Sequence, residues 1–110
     1  MDNPRSNQAL LDQVTVRLHP QDDVAIAKVD LESGQVLQFG AEALAIRANV
    51  PSGHKVALRA LAAGDAVRRY GQVIGFATRD IAPGDHVHTH NLGVQDFDRE
   101  VIEGREIKSM

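Results

Sequence analysis

The sequence contains no cysteine and no tryptophan, and only one tyrosine and three phenylalanines among 110 residues. Without cysteine there can be no disulfide, no thiolate metal site and no sulfur nucleophile. With aromatics this scarce, the core must be built from Val, Ile, Leu and Ala, and a modest core of that kind gains from a partner surface. No apolar run reaches the roughly 20 residues a membrane-crossing helix needs. The N-terminal MDNPRSNQAL is polar and has no signal-peptide core. No membrane partner is expected, and the expected location is cytoplasmic. Basic residues are not in excess either. Twelve Lys and Arg stand against fifteen Asp and Glu, a net charge of −3, which argues against nucleic acid as a partner.

What is present is a β rhythm. Val14, Val16 and Leu18 alternate with polar residues, and "VAIAKV" at 24–29 follows. Short apolar segments then recur at 35–39, 44–48, 54–60, 66–70, 72–78 and 86–90, cut by glycine. Four stretches read apolar-x-x-Gly: Leu31–Gly34, Val50–Gly53, Leu61–Gly64 and Ile81–Gly84. Each reads as a core anchor, a turn with glycine at positive φ, and a new strand. Their uneven spacing excludes a solenoid and predicts a small all-β domain of short, turn-linked strands. "GAEALA" and "RALAAG" have helical propensity but are shorter than the ~12 residues an isolated helix needs. The expected organisation is a mobile segment over 1–12, a domain over 13–92, and a charged tail or linker over 93–110 with a weak helical rhythm through Phe97, Val101 and Ile102.

The chemistry concentrates in "DHVHTHN", residues 85–91, which holds three of the five histidines on alternate positions. On a strand, His86, His88 and His90 share one face. Two imidazoles at i and i+2 can ligate one metal, so His86 and His88 are metal candidates, and His54 after a turn glycine can supply a third ligand or a proton. The same row also suits a solvated strand edge. His19, before Pro20, reads as a turn residue, and Asp22-Asp23 as a turn whose side chains cap backbone N–H groups. Lys55, Arg68 and Tyr70 form a second set suited to holding a carboxylate. Alternation puts Arg68 and Tyr70 on one face and Arg69 on the other, as a surface charge.

Three ordered motifs carry a resemblance. They are Pro-x-Gly-His-Lys at 51–55, Tyr-Gly-x-x-Ile-Gly at 70–75 and Gly-x-His-Val-His-x-His-Asn at 84–91. From about His19 to Leu92 the chain resembles the small N-terminal domain of the altronate and galactarate dehydratases and the free-standing small subunit of sulfolactate sulfo-lyase. Such a module is called a SAF domain and has a β-clip fold. The resemblance implies an accessory subunit or domain of a lyase that eliminates water, or sulfite, from a 2-hydroxy acid such as altronate or galactarate to give a 2-keto acid. It implies a divalent metal, iron or manganese, in the assembled enzyme, a large catalytic partner subunit or domain, and little turnover by this chain alone. Carried over by position, His54, His86, His88 and His90 are the catalytic candidates, and Lys55, Arg68, Tyr70 and Asn91 the substrate-binding ones. Asp23 stands where the family more often has asparagine, and Arg69 where lysine is usual. The competing expectation is a non-catalytic ligand-binding or assembly module on the same scaffold, and homo-oligomers fit either.

Overall fold

A computed structural model describes residues 8–17 and 19–94 of the chain. The fold is almost all β, as the period-two pattern predicts. Its first strand, β1 (Gln8–Leu10), leads into a single helical turn, α1 (Leu11–Val14). These two elements take in part of the 1–12 segment, and Val14 belongs to a turn of helix rather than a strand. The turn is pinned from within. Leu11 is fully buried, and the Thr15 hydroxyl donates to the Leu11 carbonyl at 2.7 Å.

The remaining strands are β2 (Thr15–Val16), β3 (Val24–Ala27), β4 (Val36–Phe39), β5 (Glu42–Ala45), β6 (Lys55–Ala57), β7 (Ala66–Arg69), β8 (Gln72–Ala77), β9 (His86–Val87) and β10 (Leu92–Gly93). They form three small sheets ordered β1-β4-β5, β2-β3-β6-β9 and β10-β8-β7. All pairings are antiparallel except β1 with β4. "GAEALA" is not helical: it forms the β4–β5 hairpin turn and β5 itself.

The four apolar-x-x-Gly units explain the layout. Leu31 and Val50 exchange reciprocal backbone hydrogen bonds, and so do Leu61 and Ile81. Each pair closes the base of one hairpin, β4–β5 or β7–β8. The secondary contacts repeat as well. Gly34 donates to Ile46 as Gly64 donates to Ala77, and Gly53 donates to Ala27 as Gly84 donates to Ala57. The uneven spacing in the sequence is that of two copies of one hairpin unit, not of four equal repeats.

Each copy closes its own core. Leu37, Leu44, Ile46, Leu31 and Val50 pack on Ala25, Ala27, Val56 and Leu11. Val67, Ala77, Leu61 and Ile81 pack on Val24, Ala57 and Val87. The central sheet lies between the cores. Along β6, Val56 joins the first and Ala57 the second, because successive side chains leave on opposite faces. Fully burying a Val or Leu side chain contributes about 1.5–3 kcal/mol, so an aliphatic core without aromatics can hold strands this short.

Candidate active site: a histidine cluster

His54 is placed by the turn that closes the first hairpin unit. Its N–H donates to the Pro51 carbonyl, and its own carbonyl accepts from Ala27, fixing it at the entry to β6. Register then brings His86 to it, because Val56 of β6 lies opposite His86 of β9. The His54 Nδ1 and His86 Nε2 atoms are 2.9 Å apart. The His88 ring stacks on His54 with centroids 4.3 Å apart, and His90 tilts against His86 at 5.4 Å. All four candidate imidazoles thus come together. His54 and His86 are half-buried, whereas His88 and His90 are exposed.

The row is not held by strand alternation. β9 ends at Val87, and residues 88–91 form a tight turn. Asn91 makes that turn: its Oδ1 accepts the His88 N–H and its Nδ2 donates to the His86 carbonyl, each at 2.9 Å. The His88 carbonyl in turn accepts the N–H groups of Asn91 and Leu92. Asn91 is buried with both ends of its amide engaged by backbone, so it shapes the loop that presents the rings.

One hydrogen links His54 and His86, since each neutral ring offers one donor and one acceptor nitrogen. Burial, and after it the neighbouring rings of His54, His90 and His88, lowers the pKa of His86. Its neutral form, able to accept a proton or donate a lone pair to a metal, is therefore favoured. The ring nitrogens of His54, His86 and His88 include one from each residue that lie within 4.8 Å of one another. A tetrahedral ion with bonds of about 2.0–2.1 Å to nitrogen separates its ligands by roughly 3.4 Å, so small side-chain adjustments would let this triad hold one. A cavity of about 240 Å³ adjoins the cluster, lined by His86, His90, Asn91, Ala48, Arg79, Asp80 and Asp85. Arg79 went unnoticed in the sequence, where nothing ties it to the histidines. It lines the same cavity as His86 and His90 from the connection between β8 and β9.

The second set of residues lies elsewhere. Lys55 follows His54, but it leaves β6 on the opposite face from Val56, the face that carries Ala57 and the second core. On β7, Val67 points into that core, Arg68 is exposed, and Arg69 returns to the inner face half-buried. Tyr70 does not alternate with Arg68. It and Gly71 form the two-residue β7–β8 turn, with φ of 58° and 73°. Positive φ at both central positions suits a type I′ hairpin but is unusual for tyrosine.

The Asp22 carboxylate stabilises this turn by accepting the N–H groups of Tyr70 at 3.0 Å and Gly71 at 2.8 Å. The His19 ring packs so closely on Gly71 that a Cβ there would lie 2.9 Å from it. Asp23, buried, accepts the Arg68 N–H and pairs with Arg59. The Asp22-Asp23 turn is thus a cap, as expected, but for a distant hairpin.

Among the described residues, no helix is long and apolar enough to cross a membrane. The model of the altronate/galactarate dehydratase SAF domain matches residues 13–95. Altronate dehydratase from Escherichia coli (strain K12) is 42% identical over 76 residues, which are 69% of this chain and 15% of that enzyme. The (2R)-sulfolactate sulfo-lyase subunit alpha of Paracoccus pantotrophus is 54% identical over 48 residues, 44% of this chain and 72% of that subunit. The corresponding subunit of Chromohalobacter salexigens is 35% identical over 83 residues, 68% of this chain and 88% of that subunit. The chain thus spans only about 15% of the altronate dehydratases it matches, but most of the sulfo-lyase subunits. With its three motifs placed on one duplicated-hairpin scaffold, the chain belongs to the SAF-domain family of the altronate and galactarate dehydratases.

Proposed function

We propose that this chain is the small accessory part of a lyase that eliminates water or sulfite from a 2-hydroxy acid of the sugar-acid or sulfonated type, giving a 2-keto acid. In that reaction the C–H bond beside the carboxylate breaks and the leaving group departs from the next carbon. The resulting enol then tautomerises to the keto acid. The observation that carries the reading is the convergence of His54, His86 and His88 beside an open cavity.

The His54–His86 pair acts as the proton-handling element, because a neutral ring can take the α-proton or return one to the departing group. A partly desolvated His86 is suited to accept. His88, exposed and stacked on His54, faces whatever closes the cleft. Alternatively, the donor set fits a divalent ion such as iron or manganese, held by the lone pairs of His54, His86 and His88 in place of the proton-handling role. When bound, such an ion would stabilise the negative charge that develops beside the carboxylate. The imidazoles are only part of a site, and a large catalytic subunit or domain supplies the rest.

The test is reconstitution. The purified 110-residue chain is expected to show no turnover on altronate, galactarate or sulfolactate, and activity is expected to appear when the large partner is added. Full activity of the chain alone, or of the large partner alone, would contradict the reading. Release of sulfite rather than water identifies the branch.

A further inference from the structure

Arg79 lies in the connection between β8 and β9 and is held there from both sides. Just before it, the Thr78 N–H donates to the Asn91 carbonyl at 3.0 Å, tying this stretch to the turn that carries His88 and His90. Just after it, the Asp80 Oδ1 accepts the Ala63 N–H at 2.9 Å, and Ile81 exchanges backbone hydrogen bonds with Leu61. The backbone at Arg79 is thereby fixed relative to the element that presents the imidazoles. Its side chain is exposed and forms part of the wall of the cavity of about 240 Å³ that His86 and His90 also line.

Among the residues lining that cavity, Arg79 alone is a lysine or arginine; Lys55 and Arg68 do not reach it. Among the described residues the ion pairs join Arg47 to Asp85 and Arg59 to Asp23, and Arg79 has none. A guanidinium presents parallel N–H donors that match the two oxygens of one carboxylate, a fit that a lysine ammonium does not make.

The acidic residues of the same wall are already engaged. Asp85 accepts from Arg47 Nε at 3.0 Å through Oδ1 and from the Ala82 N–H at 2.8 Å through Oδ2, and Asp80 holds Ala63. Each carboxylate oxygen keeps a further lone pair, which suits a hydroxyl donor. One unpaired guanidinium, carboxylate acceptors and two imidazoles around one opening make a set complementary to a small molecule with both an anionic group and hydroxyls.

We propose that Arg79 is the residue of this chain that holds the carboxylate of a small hydroxy acid in the cavity beside His86 and His90. Asp80 and Asp85 meet its hydroxyls. That this acid is the lyase's own substrate rests on the proposed function, and the contact with Arg79 does not.

The experiment is an NMR titration of the full 110-residue chain at pH 7 with tartrate, a hydroxy acid. Threitol, which has the same carbon chain with hydroxyls in place of both carboxylates, is titrated in parallel. Saturable shifts with tartrate are expected at the side chains of Arg79, His86 and His90, and threitol is expected to give none. The Kd for tartrate should rise at least about tenfold in Arg79→Gln, a difference of about 1.4 kcal/mol. Arg79→Lys, which keeps the charge and loses the fork, should recover only part of that loss. Arg17→Gln, which removes an equal charge elsewhere, should bind like the unaltered chain. Unchanged core resonances show that each variant is folded. Absence of saturable tartrate binding, equal Kd values for Arg79→Gln and Arg17→Gln, or equal binding of threitol and tartrate would overturn the proposal. No turnover is measured, so its failure leaves the lyase reading standing, and failed reconstitution leaves this contact standing.

Discussion

Asp22 shows how much one carboxylate can organise. Burial works to raise its pKa, but the N–H donors of Gly71 and Tyr70, helped by His19, outweigh it and hold the pKa below the ordinary 3.8. A group whose folded pKa is depressed binds fewer protons when folded than when unfolded, so it adds stability at pH above its unfolded value. That contribution is lost as pH falls through the folded value. Asp22→Ala is therefore expected to lower stability at pH 7 by about 1–3 kcal/mol, the cost of leaving donors unpaired. The deficit should narrow as pH drops below 3.8. Urea unfolding of both proteins at pH 7 and in acid measures this, and a deficit that stays constant with pH would show that the carboxylate charge is not the cause. The sequence marks Asp22-Asp23 as a capping turn because short acidic side chains after proline do this locally. It does not show that the capped groups lie nearly fifty positions away, which depends on how β7 meets β3.

At the scale of elements, the β9 turn carries the site. The alternating histidines were legible, and so was their common face, but strand pleating is not what keeps it. Val87 fills the second core and ends the strand, and Asn91 then curls the chain so that His88 and His90 stay beside His86. Asn91→Ala is expected to cost about 1–3 kcal/mol by freeing the His88 N–H and His86 carbonyl. It should also disperse the rings, which loss of ring-current shifts among the histidines would report. A destabilised protein with the rings still stacked would contradict the role given to Asn91.

The β7–β8 hairpin taught the opposite lesson. Period-two alternation placed Arg68 beside Tyr70 and left Arg69 outside. The strand stops at Arg69, so alternation ends there, and it is Arg69 that is half-buried while Arg68 is exposed. Reading a turn residue as a strand residue misplaced by one position which arginine is half-buried.

Across the whole molecule, the all-β class and the glycine-started strands followed from local physics, since Val- and Ala-rich alternation and positive-φ turns leave few alternatives. The duplication was visible only as an irregular echo, because its pairing, Leu31 with Val50 and Leu61 with Ile81, is long-range. The helical rhythm expected through Phe97, Val101 and Ile102 lies outside the described residues. The convergence of His54 with His86 required the β6–β9 register, which no motif spacing contains. That register joins the two copies: His54 comes from the turn that closes the first, and His86 from the strand that follows the second. Lys55 leaves this central sheet on the opposite face from Val56, whose cross-strand partner is His86.

The most direct test of this account is His88→Ala in the assembled lyase, with kcat and the Tm of this domain measured together. Among the described residues the His88 ring is exposed and packs only on other imidazoles, so kcat is expected to fall by about 100-fold or more, while Tm moves by only a degree or two. If activity and Tm fell in proportion, or if kcat were unchanged, the imidazole cluster would be scaffold rather than part of a shared active site.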